Sequence, residues 1–135
     1  MPPLIPHFSA LAADYDVFLC DVWGVVHNGV TAWPEACDAL MRARAKGASV
    51  VFITNSPRPS EQVGRQLARL HVPRETYDAM VSSGDVTRAV IKARPRQTRF
   101  HLGPDRDASV FAGLDVRLQP LETADYVVCT ELVDD

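Results

Sequence analysis

The sequence is poor in cysteine, and it lacks both long apolar runs and an excess of basic charge. Its three cysteines, Cys20, Cys37 and Cys129, are odd in number and widely spaced. This argues against a disulfide framework or a zinc site and favours a reducing cytoplasm. No apolar run approaches the roughly 18 residues of a membrane span, and no secretory signal is expected. The net charge of −3 disfavours a nucleic-acid partner.

The 135 residues are 47% hydrophobic and 23% charged, which is typical of a folded domain. Apolar runs predict strands at 16–20, 48–53 and 77–81, and the first two are expected to be buried on both faces. Helices are predicted to begin at Pro34 and Ser60, where proline or serine suits a helix start, and residues 82–85 offer caps for a third helix that runs to about Arg94. This alternation of strands and helices predicts an α/β fold with a Rossmann-like parallel sheet.

A polar stretch at 93–99 separates this region from a second set of elements. Beyond it, the pattern predicts a strand at 99–103, a short helix at 107–113 and a strand at 124–129. A second βαβ-like unit is therefore expected to begin near residue 97.

Asn28-Gly29 lies between valine-rich segments just after the first strand. Asn-Gly is the strongest short signal for a β-hairpin, because both central residues of a type I′ turn need positive φ. The sequence therefore predicts a hairpin at about residues 25–30.

Polar residues follow the first two predicted strands, where α/β proteins place their sites. Asp21 follows the first strand, and Thr54-Asn55-Ser56 follows the second. An aspartate can act as a nucleophile or bind Mg²⁺, and hydroxyl groups at a helix start can hold phosphate. The alternative is that both segments only cap a turn or a helix. Their matching positions favour a functional site.

These segments resemble the haloacid dehalogenase (HAD) superfamily. Residues 15–29 are similar to its first motif, which is an apolar strand, an aspartate and a flap hairpin. Residues 33–36 and 51–56 are similar to subclass IIA, the NagD and 4-nitrophenylphosphatase group. Residues 100–103 and 124–128 resemble the opening of that group's type-2 cap. The resemblance implies a partial core at 1–95 with the flap at 25–30, and the start of a cap at 96–135.

The resemblance also implies roles for individual residues. Asp21 matches the nucleophile, which forms an aspartyl phosphate and binds Mg²⁺. Thr54 matches the hydroxyl that hydrogen-bonds the transferring phosphoryl group. Asn55, Ser56 and Gly24 are expected to contact the substrate. The substrate class implied is a small phosphorylated metabolite, and a homodimer is left open.

Trp23 departs from the family pattern. An aspartate, acting as general acid and base, normally stands two residues after the nucleophile. An indole carries only an N–H donor, although the backbone carbonyl of Trp23 can still bind Mg²⁺. Loss of acid–base help costs about 10²–10⁴-fold in rate, so weak activity is expected. His27 is considered as a substitute acid, because its unperturbed pKa is about 6.5.

The lysine-bearing third motif and the acidic fourth motif of the superfamily cannot be assigned within the 135 residues. The chain is therefore expected to be the first part of a longer enzyme, inactive or weak alone. Two other hypotheses remain: a catalytically degenerate binding or regulatory relative, and a receiver-like phospho-acceptor domain. The receiver-like hypothesis is disfavoured because Lys46 and Lys92 both fall in predicted helices.

Overall fold

A computed structural model describes residues 4–132 of the chain. Two 3₁₀ segments occupy Arg74–Thr76 and Asp105–Phe111. The α-helices and strands alternate along the chain as follows: α1 Ser9–Ala12, β1 Val17–Asp21, α2 Pro34–Ala45, β2 Ser49–Thr54, α3 Ser60–Arg69, β3 Ala79–Ser82, α4 Ser83–Ala93, β4 Arg99–Leu102 and β5 Tyr126–Cys129. The predicted α/β fold class is confirmed.

The chain forms two compact units, residues 1–54 with 64–81 and residues 55–63 with 82–135. The first unit holds a three-stranded sheet in the order β1-β2-β3, and the second holds a two-stranded sheet of β4 and β5. The β1–β2 and β4–β5 pairs are parallel, so each needs a crossover connection. Helix α2 lies in the first of these connections. The predicted division into a core and a cap at residue 95 stays a prediction.

The helix starts follow the sequence signals. Pro34 occupies the first turn of α2. Ser82 caps α4, because its Oγ accepts the N–H of Asp85 at 3.0 Å while the carboxylate of Asp85 accepts the N–H of Ser82. Burial alone raises the pKa of Asp85, but hydrogen bonds from Ser60 and Ser82 outweigh it and lower that pKa. Asp85 is therefore a helix-capping residue.

The core of the first unit lies on one face of β2. Val50 and Phe52 are fully buried on that face. The Phe52 ring stacks on Tyr77, with 4.4 Å between ring centroids. Helix α2 buries Cys37, Leu40 and Ala43 along one stripe. Strand β2 is therefore the central packing element of this unit.

Strand β1 is not buried on both faces, and that prediction is wrong. Val17 and Leu19 are 54% and 68% exposed, whereas Phe18 is half-buried against Phe8, with ring centroids 4.9 Å apart. On β2, Ile53 is also exposed. The apolar run correctly indicated a strand, but in the described residues β1 is an edge strand of its sheet. Only one face of β1 is packed.

The Asn28-Gly29 turn is also not the predicted type I′ turn. Only Gly29 has a positive φ (+89°), whereas a type I′ turn needs positive φ at both central residues. The Asn28 side-chain Oδ1 instead accepts the N–H groups of Val30 and Thr31, each at 2.9 Å. The loop is therefore longer than a two-residue turn: an antiparallel bridge between His27 and Ala32 closes it, with residues 28–31 between them.

The second unit is built around β4 and the 3₁₀ segment that follows it. His101 contacts the Phe111 ring edge-on at 5.1 Å, and its Nε2 lies 2.9 Å from Thr130 Oγ1. Arg88 donates hydrogen bonds to the carbonyls of Val110 and Ala112, each at 2.8 Å. The helix predicted at 107–113 is thus a 3₁₀ segment that begins two residues earlier. Across the described residues, no helix is long and apolar enough to cross a membrane.

Candidate active site at the ends of the first two strands

Asp21 and Thr54 end two neighbouring parallel strands. The register pairs Asp21 with Ile53, so Thr54 lies one residue further along β2. Successive side chains of a strand point to opposite faces. Accordingly, Asp21 and Ile53 are exposed, whereas Thr54 is buried. The structure therefore places both predicted residues at one edge of the sheet, with their side chains on opposite faces.

The Asp21 carboxylate is held at one oxygen only. Its Oδ1 accepts the backbone N–H of Val22 at 2.7 Å. The residue is exposed, and within residues 4–132 no side-chain nitrogen of lysine, arginine or histidine lies within 4.0 Å of it. Its second oxygen therefore faces solvent without a cationic partner. A carboxylate in this situation can attack an electrophile or bind a divalent cation.

The loop after Asp21 is folded by its own backbone. The Gly24 N–H donates to the carbonyl of His27 at 2.8 Å, and the Val26 N–H donates to Val22 at 2.9 Å. Gly24 has φ +76° and no atom within 4 Å of where a Cβ would stand. Glycine is therefore needed here for its backbone conformation rather than for space. The fully buried Val26 side chain anchors the loop in the unit's core.

The Trp23 side chain lies across this loop. A Cβ placed on Gly29 would come within 2.4 Å of the indole Cη2, so the ring is in direct contact with that backbone. The His27 ring meets the indole edge to face, with centroids 5.3 Å apart and an interplanar angle of 85°. Trp23 nevertheless remains 60% exposed. It is therefore fixed on one side and open to solvent on the other.

His27 is poorly suited to replace the missing general acid. It is 3% exposed, and its Nδ1 accepts the N–H of Gly29 at 2.9 Å. Burial lowers the pKa of His27 below its usual value. The ring is therefore neutral near pH 7, with its proton on Nε2. A neutral imidazole is a much weaker acid than an imidazolium ion.

Asn55 and Ser56 belong to the second compact unit. Asn55 is exposed. The Ser56 Oγ accepts the N–H of Arg58 at 3.3 Å, and its carbonyl accepts the N–H of Gly84 at 3.1 Å. Ser56 thus has a structural role in its turn, and the predicted contacts of Asn55 and Ser56 with substrate stay predictions.

A magnesium site is only partly built by the described residues. No cluster of three histidine, cysteine, aspartate or glutamate side chains suited to a metal occurs in residues 4–132. The Asp21 carboxylate fits Mg²⁺, which takes oxygen ligands and often binds through one or two carboxylates plus phosphate and water. Asp21 can therefore supply one ligand of such a site.

Sequence reasoning placed Asp21 and Thr54 at the ends of neighbouring strands, and their roles stay predictions; it missed the contact between Trp23 and Gly29. A sequence signal existed, because a glycine six residues after a tryptophan in a short loop allows close approach of a ring. Asn28-Gly29 was instead interpreted as a two-residue hairpin turn, which assigns no partner to the indole.

Fold and site together define an α/β protein with an exposed carboxylate at the carboxyl edge of its sheet. The family model described as haloacid dehalogenase-like hydrolase matches residues 18–117. The chain belongs to this family. The predicted resemblance to subclass IIA is confirmed by solved structures that include a putative NagD protein and a 4-nitrophenylphosphatase.

Three relatives show the extent of the similarity. A haloacid dehalogenase-like hydrolase from Brucella suis is 47% identical with a TM-score of 0.86, over 98% of this chain and 51% of its own. The 4-nitrophenylphosphatase from Thermotoga maritima is 25% identical with a TM-score of 0.65, over 88% of this chain and 46% of its own. Human glycerol-3-phosphate phosphatase is 48% identical over 48 residues, which are 36% of this chain and 15% of that protein. The chain spans about half the length of the two solved relatives.

Proposed function

We propose that this chain carries the nucleophile of a Mg²⁺-dependent phosphatase that acts on a small phosphorylated metabolite. The observation that carries the proposal is the Asp21 carboxylate, which is exposed at the end of β1 and held only at Oδ1. The names of the relatives, a 4-nitrophenylphosphatase and a glycerol-3-phosphate phosphatase, support the reaction class.

In the proposed reaction, Oδ2 of Asp21 attacks the phosphorus atom while Oδ1 stays hydrogen-bonded to Val22. A bond forms between Oδ2 and phosphorus, and the ester bond to the leaving oxygen breaks with its electron pair on that oxygen. Water then hydrolyses the aspartyl phosphate to regenerate the carboxylate. The Thr54 hydroxyl is proposed to hydrogen-bond the phosphoryl oxygens past the end of β2, because its side chain lies at the same edge of the sheet but on the opposite face from Asp21.

Mg²⁺, when bound, neutralises the repulsion between the carboxylate and the phosphate. We propose that the Asp21 carboxylate and the Trp23 backbone carbonyl hold it. The substrate phosphate and water would complete its shell. A cytoplasmic location is also proposed, supported by three cysteines that are all free thiols.

We expect the activity of this chain to be low. Trp23 supplies no proton to the leaving group, a loss of about 10²–10⁴-fold in rate. No third or fourth superfamily motif is assigned in the 135 residues. The presence of Trp23 also favours the second candidate, a binding or regulatory protein that retains the phosphate site without turnover.

Hydrolysis of 4-nitrophenyl phosphate with Mg²⁺ tests the proposal. We expect slow hydrolysis that chelation of Mg²⁺ with EDTA abolishes and that Asp21→Asn reduces to background. Asp16→Asn is the matched control, because Asp16 is exposed just before the opposite end of the same strand. Equal rates for Asp21→Asn and the unmodified chain would contradict the proposal. A rate typical of the family would contradict the impairment, and no hydrolysis would favour the binding protein.

A further inference from the structure

Trp23 presents an exposed aromatic surface two residues after Asp21. The indole is 60% exposed although it contacts Gly29 and His27. Two residues of chain span at most about 7 Å, so Trp23 starts within that distance of Asp21. The indole itself contacts Gly29 and His27, and a side chain that starts this close to Asp21 is long enough to meet a group bonded to a phosphate there.

The indole surface is held in place without a ligand. The loop that carries it is closed by the Gly24–His27 hydrogen bond and by the bridge from His27 to Ala32. The buried His27 ring supports one edge of the indole. Because a rigid aromatic surface loses little conformational freedom on binding, it is suited to recognise another ring.

The same loop offers no exposed acid to protonate a leaving group. His27 is the only titratable side chain between Asp21 and Glu35. It is buried, and its Nδ1 accepts the Gly29 N–H. This loop therefore gives no proton to a leaving oxygen, which favours leaving groups that depart as stable anions. Phenols have a pKa of about 10, as in tyrosine, whereas aliphatic alcohols are weaker acids, so phenolate leaves more readily without an acid.

We propose that Trp23 makes the site selective for phosphate esters of aromatic alcohols, by stacking its indole on the ring of the leaving group. This proposal rests on the proposed function, because it assumes that Asp21 binds the phosphate. In the reaction, the phosphoryl group is transferred from the phenolic oxygen to Oδ2 of Asp21: the bond from phosphorus to the phenolic oxygen breaks and a bond from phosphorus to Oδ2 forms. The phenolate keeps the electron pair of the broken bond and takes a proton from water.

Binding of two non-hydrolysable phosphonates to the 135-residue chain tests the proposal without requiring turnover. Phenylphosphonate and propylphosphonate carry the same anionic group, and isothermal titration calorimetry with Mg²⁺ gives their dissociation constants. We expect phenylphosphonate to bind roughly 2- to 12-fold more tightly, the range of one aromatic pair. Trp23→Leu should remove this preference, and Trp23→Phe should retain most of it.

Trp33→Leu is the matched control. Trp33 is also partly exposed, at 40%, and lies ten residues further along the chain just before α2. Its replacement should leave the phenyl preference unchanged. Circular dichroism of each variant confirms that it is folded.

The possible results separate the two proposals. If both phosphonates bind equally to the unmodified chain, or if the phenyl preference survives in Trp23→Leu, the role of Trp23 is refuted while the phosphate site stands. If neither phosphonate binds, or if Asp21→Asn does not change their binding, the proposed phosphate site is refuted and the role of Trp23 with it.

Discussion

Two aspartates at opposite ends of the first unit's sheet have opposite surroundings. Asp78 lies just before β3, where Arg44 forms an ion pair with it and the Val50 N–H donates to its Oδ2 at 2.8 Å. Asp21 lies at the end of β1, where Val22 is its one hydrogen-bond donor in the described residues. The Asp78 carboxylate thus has both an ionic partner and a backbone donor, whereas the Asp21 carboxylate has one backbone donor.

This difference separates a structural carboxylate from a candidate functional one. The hydrogen bonds from Arg44 and Val50 lower the pKa of Asp78 and tie α2 to the amino ends of β2 and β3. The Asp21 carboxylate forms its hydrogen bond with the next residue, Val22, and therefore links β1 to no other helix or strand in the described residues. Lone pairs that the fold leaves open at a strand end are free for a substrate or cation.

The packed face of β2 should lose most stability when its packing is removed. Phe52 is fully buried and stacks on Tyr77, the residue before Asp78. We expect Phe52→Ala to lower the free energy of unfolding by about 3–5 kcal/mol, measured by urea denaturation. Ile53→Ala, at a 43% exposed neighbour that pairs with Asp21, should cost about 1 kcal/mol or less. Equal losses would contradict the difference in packing between the two faces of β2.

Gly29→Ala tests the packing of the loop beside Asp21. The alanine would need φ +89° and would place its Cβ 2.4 Å from the Trp23 indole. We expect a loss of about 1–3 kcal/mol in the free energy of unfolding.

Gly47→Ala is the matched control for Gly29→Ala, because Gly47 has φ +100° but no atom within 4 Å of a Cβ. The excess cost at Gly29 should vanish when Trp23→Ala is added. An excess that persists would refute the contact between the Trp23 ring and the Gly29 backbone.

Asp78→Asn should have a smaller effect than Phe52→Ala or Gly29→Ala, because the Arg44–Asp78 pair is partly exposed. The pKa of Asp78 is lowered in the folded state, so its contribution to stability is present above its unfolded pKa of about 3.9. That contribution disappears as the pH falls through the lower folded pKa. Thermal unfolding should therefore show Asp78→Asn as less stable than the unmodified chain at neutral pH, with the difference fading in acid.

Asp38→Asn provides the comparison for Asp78→Asn, since Asp38 forms an exposed pair with Arg42 inside α2. It should change the midpoint of unfolding less at neutral pH. If the loss of stability caused by Asp78→Asn became larger in acid, the result would contradict a lowered pKa of Asp78 in the folded state.

The element order and the position of Asp21 followed from the sequence, because apolar runs and helix-start residues are local signals. The exposure of Leu19 did not, since an apolar run does not say which face another element covers. The Arg44–Asp78 pair joins residues 34 positions apart, and no local pattern reports such a contact. The position of the Trp23 ring depends on the loop around Asn28. The Asn-Gly signal predicts a type I′ turn there, and it does not distinguish that turn from the one that the Asn28 side chain forms with Val30 and Thr31.

The central claim is that Asp21 accepts a phosphoryl group, and beryllium fluoride tests it most directly. Beryllium fluoride forms an adduct with a reactive aspartate that mimics the aspartyl phosphate. With Mg²⁺ present, ¹⁹F NMR of the 135-residue chain should show a bound-fluoride signal that Asp21→Asn abolishes and Asp78→Asn leaves intact. A bound signal that survives Asp21→Asn, or the absence of any bound signal from the unmodified chain, would contradict the claim.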